Sequence, residues 1–154
     1  MRKKSPFTDK EIKFFRELQK RKVPFIVVGL SAAVIQGAPV STQDVDLWID
    51  DLSDPKFQKA VKAVGAAYIP PIGLNPPLLT GKNLEFIDLV VTVHGLKGFS
   101  EEYKKTKKMR LGSLILRVLP IDKIIKSKEF LDRPKDRAVL PVLRDVLKTL
   151  KSGK

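Results

Sequence analysis

The sequence predicts an α+β fold: a small mixed β-sheet flanked by helices, with two helices closing the chain. Three observations carry this. "PFIVV" (Pro24 to Val28) is a short, wholly apolar run ended by Gly29, as in a strand buried on both faces. "DVDLWI" (Asp44 to Ile49) alternates charged and apolar residues with the period of a strand, and "LEFIDLVVTV" (Leu84 to Val93) is the strongest strand signal in the chain. Helical spacings fill the intervals between them.

In chain order, Thr8 to about Arg21 reads as a helix. Thr8 stands at a capping position with Glu11 three residues later, and Ile12, Phe15 and Leu18 recur at helical spacing. Ser31 to Gln36 is a short helix closed by Gly37. Asp54-Pro55 opens a helix that runs to Val64 and stops at Gly65. The prolines and glycines around "PPIGLNPP" predict a loop over Ile69 to Lys82, and the basic stretch Tyr103 to Arg110 reads either as a solvated loop or as a surface for an acceptor or a triphosphate. Leu114 to Leu119 is a strand, followed by helices over about Ile121 to Leu131 and Pro134 to Leu150. Pro141 is expected to kink the last helix or end its first part. One domain is expected over 1–154, its core over about 24–119 and its C-terminal helices over 120–150.

Composition narrows the function. The chain has no cysteine and one histidine, His94, which excludes thiolate sites and clustered-histidine metal sites and leaves no basis for a serine–histidine triad. No apolar run spans a membrane, and the basic Met1 to Lys4 lead into a polar segment. No signal peptide and no membrane partner are therefore expected, and a cytoplasmic location fits. Thirty Lys/Arg against seventeen Asp/Glu give a net charge of +13. From Lys97 onward there are seventeen basic and seven acidic residues, so +10 of the +13 lies there. Such a surface attracts polyanions.

The acidic residues hold the chemistry. Strand parity puts Asp44, Asp46, Trp48 and Asp50 on one face, with Val45, Leu47 and Ile49 on the core-packing face. Two carboxylates about 6–7 Å apart along a strand either face water at an exposed strand end or share a hard divalent cation, Mg²⁺ or Mn²⁺. Upstream, the turn from Gly29 into a helix at Ser31 presents backbone N–H groups of the kind that cradle phosphate, and Ser31 Oγ is a further donor. Asp88 is expected to be the single charge in an apolar ladder. It is explained either by a shared metal or by a salt bridge to a lysine.

In order and spacing, "VVGLSAAVIQG", "STQDVDLWI" and "FIDLVV" resemble the nucleotidyltransferase superfamily, the DNA-polymerase-β-like fold. "IDKIIKSKEFLDRPKDRAVLPVL" is similar to a segment of minimal and toxin-type nucleotidyltransferases, in which S-K and R-x-K-D recur. The resemblance implies that Asp44 and Asp46 hold catalytic Mg²⁺ (or Mn²⁺) and that Asp88 completes the site and helps to activate the acceptor hydroxyl. It places Gly29, Ser31 and Thr42 at the nucleotide, Lys128 and Lys135 at the triphosphate, and Asp136 as a supporting residue. The implied reaction moves a nucleoside monophosphate from an NTP such as ATP to a hydroxyl of RNA, protein or a small molecule, releasing pyrophosphate. Leu30 stands where the second glycine of the pattern belongs, and Val40 where arginine is frequent. These departures leave open a non-catalytic nucleic-acid-binding module, or one component of a toxin–antitoxin pair with a partner protein encoded nearby.

Overall fold

The computed structural model describes residues 6–152; the basic Met1 to Lys4 lie outside them. Helix α1 (Asp9–Lys20) starts as its sequence dictates. Thr8 Oγ1 accepts from Glu11 N at 3.0 Å, and Glu11 Oε1 accepts from Thr8 N at 2.9 Å, a reciprocal cap that satisfies two otherwise free donors. Strand β1 (Ile26–Val28) runs into α2 (Gly29–Ile35), and β2 (Val45–Trp48) leads to α3 (Pro55–Ala63), capped by Asp54. The order continues with β3 (Ala67–Ile69), β4 (Leu78–Thr80), β5 (Ile87–Val90) and α4 (Phe99–Tyr103). It ends with β6 (Lys107–Leu111), β7 (Leu114–Val118), α5 (Ile121–Leu131) and α6 (Pro134–Lys151).

Five strands form a mixed sheet in the order β5-β2-β1-β7-β6. β2 pairs antiparallel with β1 and parallel with β5, while β7 pairs parallel with β1 and antiparallel with β6. The register sets the two faces, because in-register neighbours share a side. Val27, Leu47, Leu89 and Val118 stand on one face, all buried. Val28, Asp46 and Asp88 stand on the other.

Two expectations are corrected. The predicted loop over 69–82 overlaps the antiparallel hairpin β3–β4, with Ala67 opposite Thr80 and Ile69 opposite Leu78. Its four prolines lie between the paired segments, where no ladder N–H is required of them. The basic stretch over 103–110 is the end of α4 followed by edge strand β6, not a solvated loop. Lysines suit such an edge because they oppose edge-to-edge pairing. The face bearing Asp46 is covered in part. Trp48, on that same face, is only 1 % exposed because α4 covers it, with Phe99 edge-on at 5.5 Å. Of the two outcomes expected at Pro141, an end to the helix is ruled out, because α6 runs through it. That residue is exposed, so the carbonyl its missing N–H leaves free can bond to water.

No helix among the described residues is long and apolar enough to cross a membrane.

Candidate active site

A cleft of about 460 Å³ opens beside the carboxylates. The turn Val28–Gly29–Leu30, Thr42 and the acids Asp44, Asp46 and Asp88 line one side. Ile124, Ser127, Lys128 and Leu131 of α5 line the other, with Arg133 and Lys135 at the start of α6. Residues 124, 127, 128 and 131 follow helical spacing, so one stripe of α5 faces the acids.

Gly29 is required here for two reasons. Its φ is +67°, a conformation that costs an L-residue with a side chain about 1–2 kcal/mol. A Cβ at this position would also collide with the Asp46 carboxylate, whose Cγ would lie 3.2 Å from it. The carboxylate thus rests directly against the turn. Gly29→Ala is expected to destabilise the fold by about 2 kcal/mol or more and to push the Asp46 carboxylate out of place. Thermal unfolding of the variant measures the first effect and nucleotide affinity the second.

Ser31 has a different role from the open phosphate donor expected. It is buried, its Oγ donates to Val28 O at 3.0 Å, and it accepts from Asp46 N at 3.4 Å. It therefore ties β2 to the turn and positions Asp46. Thr42 Oγ1 accepts from Asp44 N at 3.2 Å and orients the start of β2.

Asp88 differs from its expectation: its side chain is exposed at the cleft and not enclosed in an apolar ladder. The buried residues of β5 are Ile87 and Leu89, which point to the other face. Asp88 pairs in register with Asp46 and shares a hydrogen bond with it. Burial, reinforced by the charges of Asp88 and Asp44, pushes the Asp46 carboxyl up to about 6, against a smaller opposing pull from Lys128. Asp88 is also raised, mainly by desolvation and by Asp44, and its hydrogen bond to Asp46 opposes that rise. These carboxylates repel one another and lack full compensation from protein cations. Among the described residues, no three acidic or histidine side chains are gathered into a ready-made metal cage. The donor set is nevertheless all oxygen and rich in carboxylate, which suits a hard cation that draws its remaining ligands from phosphate and water.

The opposite wall is organised by Asp136, which is fully buried. It accepts from Arg133 N at 3.1 Å, from Arg133 Nε at 2.6 Å and from Lys128 Nζ at 3.4 Å. The Arg133 hydrogen bond is the main cause holding this carboxyl down to about 2. Lys128 is half-buried, whereas Arg133 and Lys135 are exposed at the rim. All nine residues singled out in the sequence thus lie in or directly behind this cleft, with Ser31 and Asp136 as supports. Four polar lining residues, Thr92, His94, Ser127 and Arg133, had been given no role. Arg133, which opens the "RPKD" run, was legible as the residue three before a first-turn acid. Ser127 and His94 carried no signal of their own.

No protein-family profile matches this chain, and no curated protein matches it in sequence. Solved structures do match in fold. The solution structure of the antibiotic-resistance factor ANT(2'')-Ia superposes with a TM-score of 0.61 at 13% identity, over 92% of this chain and 82% of that one. The crystal structure of ANT(2'')-Ia in complex with adenylyl-2''-tobramycin gives a TM-score of 0.61 at 14% identity, over 90% and 86%. The chain therefore has the α+β fold of these aminoglycoside nucleotidyltransferase structures, as its short motifs implied.

Proposed function

We propose that this chain is a divalent-metal-dependent nucleotidyltransferase that moves a nucleoside monophosphate from an NTP to a hydroxyl acceptor. The observation that carries this reading is the polarity of one cleft: Asp44, Asp46 and Asp88 against the Gly29 turn, facing Lys128, Arg133 and Lys135. An NTP presents the complementary pattern, a polyphosphate that cations neutralise and that shares metal ions with carboxylates.

Asp44 and Asp46 would hold Mg²⁺ or Mn²⁺, with Asp88 as third carboxylate; the ion supplies charge neutralisation and alignment of the α-phosphate. Lys128, held in place by Asp136, approaches from α5 to neutralise the triphosphate, and Arg133 and Lys135 extend that positive wall. The acceptor hydroxyl oxygen forms a bond to the α-phosphorus while the bond from that phosphorus to the β-bridging oxygen breaks, and pyrophosphate departs. The hydroxyl proton passes to Asp88, whose affinity for protons is raised by burial and by the charge of Asp44. Asp88 faces the cleft, within reach of an entering acceptor.

The solved ANT(2'')-Ia complex contains an adenylylated aminoglycoside, so small hydroxylated cations belong in the acceptor panel beside tRNA and protein. The test is transfer of label from α-labelled and γ-labelled NTPs in Mg²⁺. Label from the α position on an acceptor, with none from the γ position, is the expected result. Failure of every NTP with every acceptor would contradict the proposal and favour the non-catalytic alternative. Lys128→Met is expected to raise KM for the NTP about 10–100-fold, the size of one charged contact, with a smaller change in kcat. Steady-state kinetics separates the two constants.

A further inference from the structure

We propose a second site: the groove between the start of β1 and the β6–β7 hairpin binds the phosphodiester backbone of a nucleic-acid single strand. The groove, of about 410 Å³, is lined by Lys22, Lys108 and Arg117 with Gln19 and Tyr103, and no acidic residue lines it. It lies at the opposite end of β1 from Gly29. From Pro24 to Gly29 the chain advances about 16 Å, so it is separate from the acidic cleft.

Three features distinguish this groove from an ordinary basic surface. Lys108 and Arg117 are in-register partners across antiparallel strands, a like-charge pair whose repulsion a bound anion would relieve. Lys22, Lys108 and Arg117 form no ion pair among the described residues, although other surface cations, such as Arg21 and Arg144, do. The Arg117 guanidinium lies 4.5 Å from the Tyr103 ring centroid, and Tyr103 is itself stacked on Phe99. With the bond that Arg117 Nη1 donates to Thr106 Oγ1 at 3.1 Å, that contact fixes the guanidinium at the groove wall, where it can stack with a base.

The whole segment over 103–117 contains six Lys/Arg and no Asp/Glu, which extends the positive track along the hairpin. Adjacent cations matched to successive phosphates, beside one flat stacking surface, are the elements of sequence-tolerant single-strand binding. Lys108 and Arg117 also stand on the sheet face that bears Asp46 and Asp88, with α4 between the two sites. The site does not depend on the transfer reaction, and its test is a binding measurement.

Fluorescence anisotropy with labelled 12-nucleotide single strands of RNA and of DNA, between 50 and 200 mM salt, tests the assignment. Three variants of the full chain are compared with wild type. Lys22→Ser with Lys108→Ser alters two exposed side chains, Arg117→Met retains an unbranched stem, and Lys148→Ser with Lys151→Ser removes the same charge from the far end of α6. The groove double variant is expected to weaken binding at least 10-fold and to reduce the slope of log K against log salt by about 1.4, or 0.7 per phosphate. Arg117→Met is expected to weaken it about 5-fold or more through the lost stack, and the α6 variant less than 2-fold. RNA and DNA are expected to bind within a few-fold of each other, because backbone and stacking contacts do not require the 2′-hydroxyl. Equal losses in the groove and α6 double variants would overturn the site, as would absence of binding at 50 mM salt. Inorganic pyrophosphate that competed as well as the oligonucleotide at equal phosphate concentration would overturn the strand assignment.

Discussion

Asp46→Asn is expected to abolish nucleotide transfer and, in the same molecule, to raise the melting temperature of the metal-free protein. The two effects have one cause. Asp46 is held against Gly29 and beside Asp88 and Asp44, and burial together with those charges lifts its carboxyl from 3.8 to about 6. A carboxyl whose proton affinity is raised on folding lowers stability as pH climbs from the unfolded value to the folded one. The penalty is absent below about 4 and complete above about 6. Its size is roughly 3 kcal/mol. Asparagine keeps the shape and removes the charge, so near pH 7.5 the variant is expected to melt about 5–10 °C above wild type. Near pH 4 the difference should vanish. Transfer should fall about 10³-fold or more, as expected for loss of a charged group that holds an essential cation. Mg²⁺ is expected to stabilise wild type at pH 7.5 and to leave Asp46→Asn almost unaffected. Scanning calorimetry at both pH values, with and without the ion, checks each part.

Asp136→Ala is expected to be the most damaging substitution outside the acidic cluster. Asp136 is fully buried and receives hydrogen bonds from Arg133 and Lys128, so its removal strands a half-buried lysine and frees the first turn of α6. Breaking such a pair from one side costs about 3–5 kcal/mol. NTP affinity should fall as well, since Lys128 loses the contact that aims it. Asp136→Asn should recover part of the stability, by keeping the acceptor for Arg133 N. The sign with pH is opposite to that of Asp46. Asp136 is held down to about 2, so its stabilisation is present above about 4 and is lost as pH falls from there toward 2. Urea unfolding from pH 2 to 7 should show this loss in wild type and a flatter profile in the alanine variant.

These predictions show which parts of the molecule local sequence determines. The α1 cap and the bounds of α5 were legible because backbone satisfaction within a few residues decides them. The Asp44–Asp46 pair and the Gly29 turn were legible because spacing along a strand is rigid. What failed depended on partners distant in sequence. Trp48 has the parity of a surface residue, yet α4, some fifty residues later, covers it. Asp88 sits in an apolar run, yet its neighbours on the cleft face leave it open to solvent, because the apolar residues of β5 alternate to the other side. The β3–β4 hairpin pairs only three residues per strand, too few for its period to stand out among the prolines. Ser31 and Asp136 lie directly behind the cleft. Their task is to position Asp46 and Lys128, and that became visible only with the hydrogen bonds.

The central claim is that Asp44 and Asp46 hold a divalent ion against an NTP whose phosphates reach Lys128. The most direct measurement is a crystal soaked with Mn²⁺ and an ATP analogue that resists cleavage between the α- and β-phosphates, read by anomalous scattering. The account predicts manganese within about 2–2.3 Å of carboxylate oxygens of both aspartates, with the phosphates lying between Gly29 and Lys128. Nucleotide bound at saturating Mn²⁺ away from this cleft, or in it with no manganese at either aspartate, would contradict it.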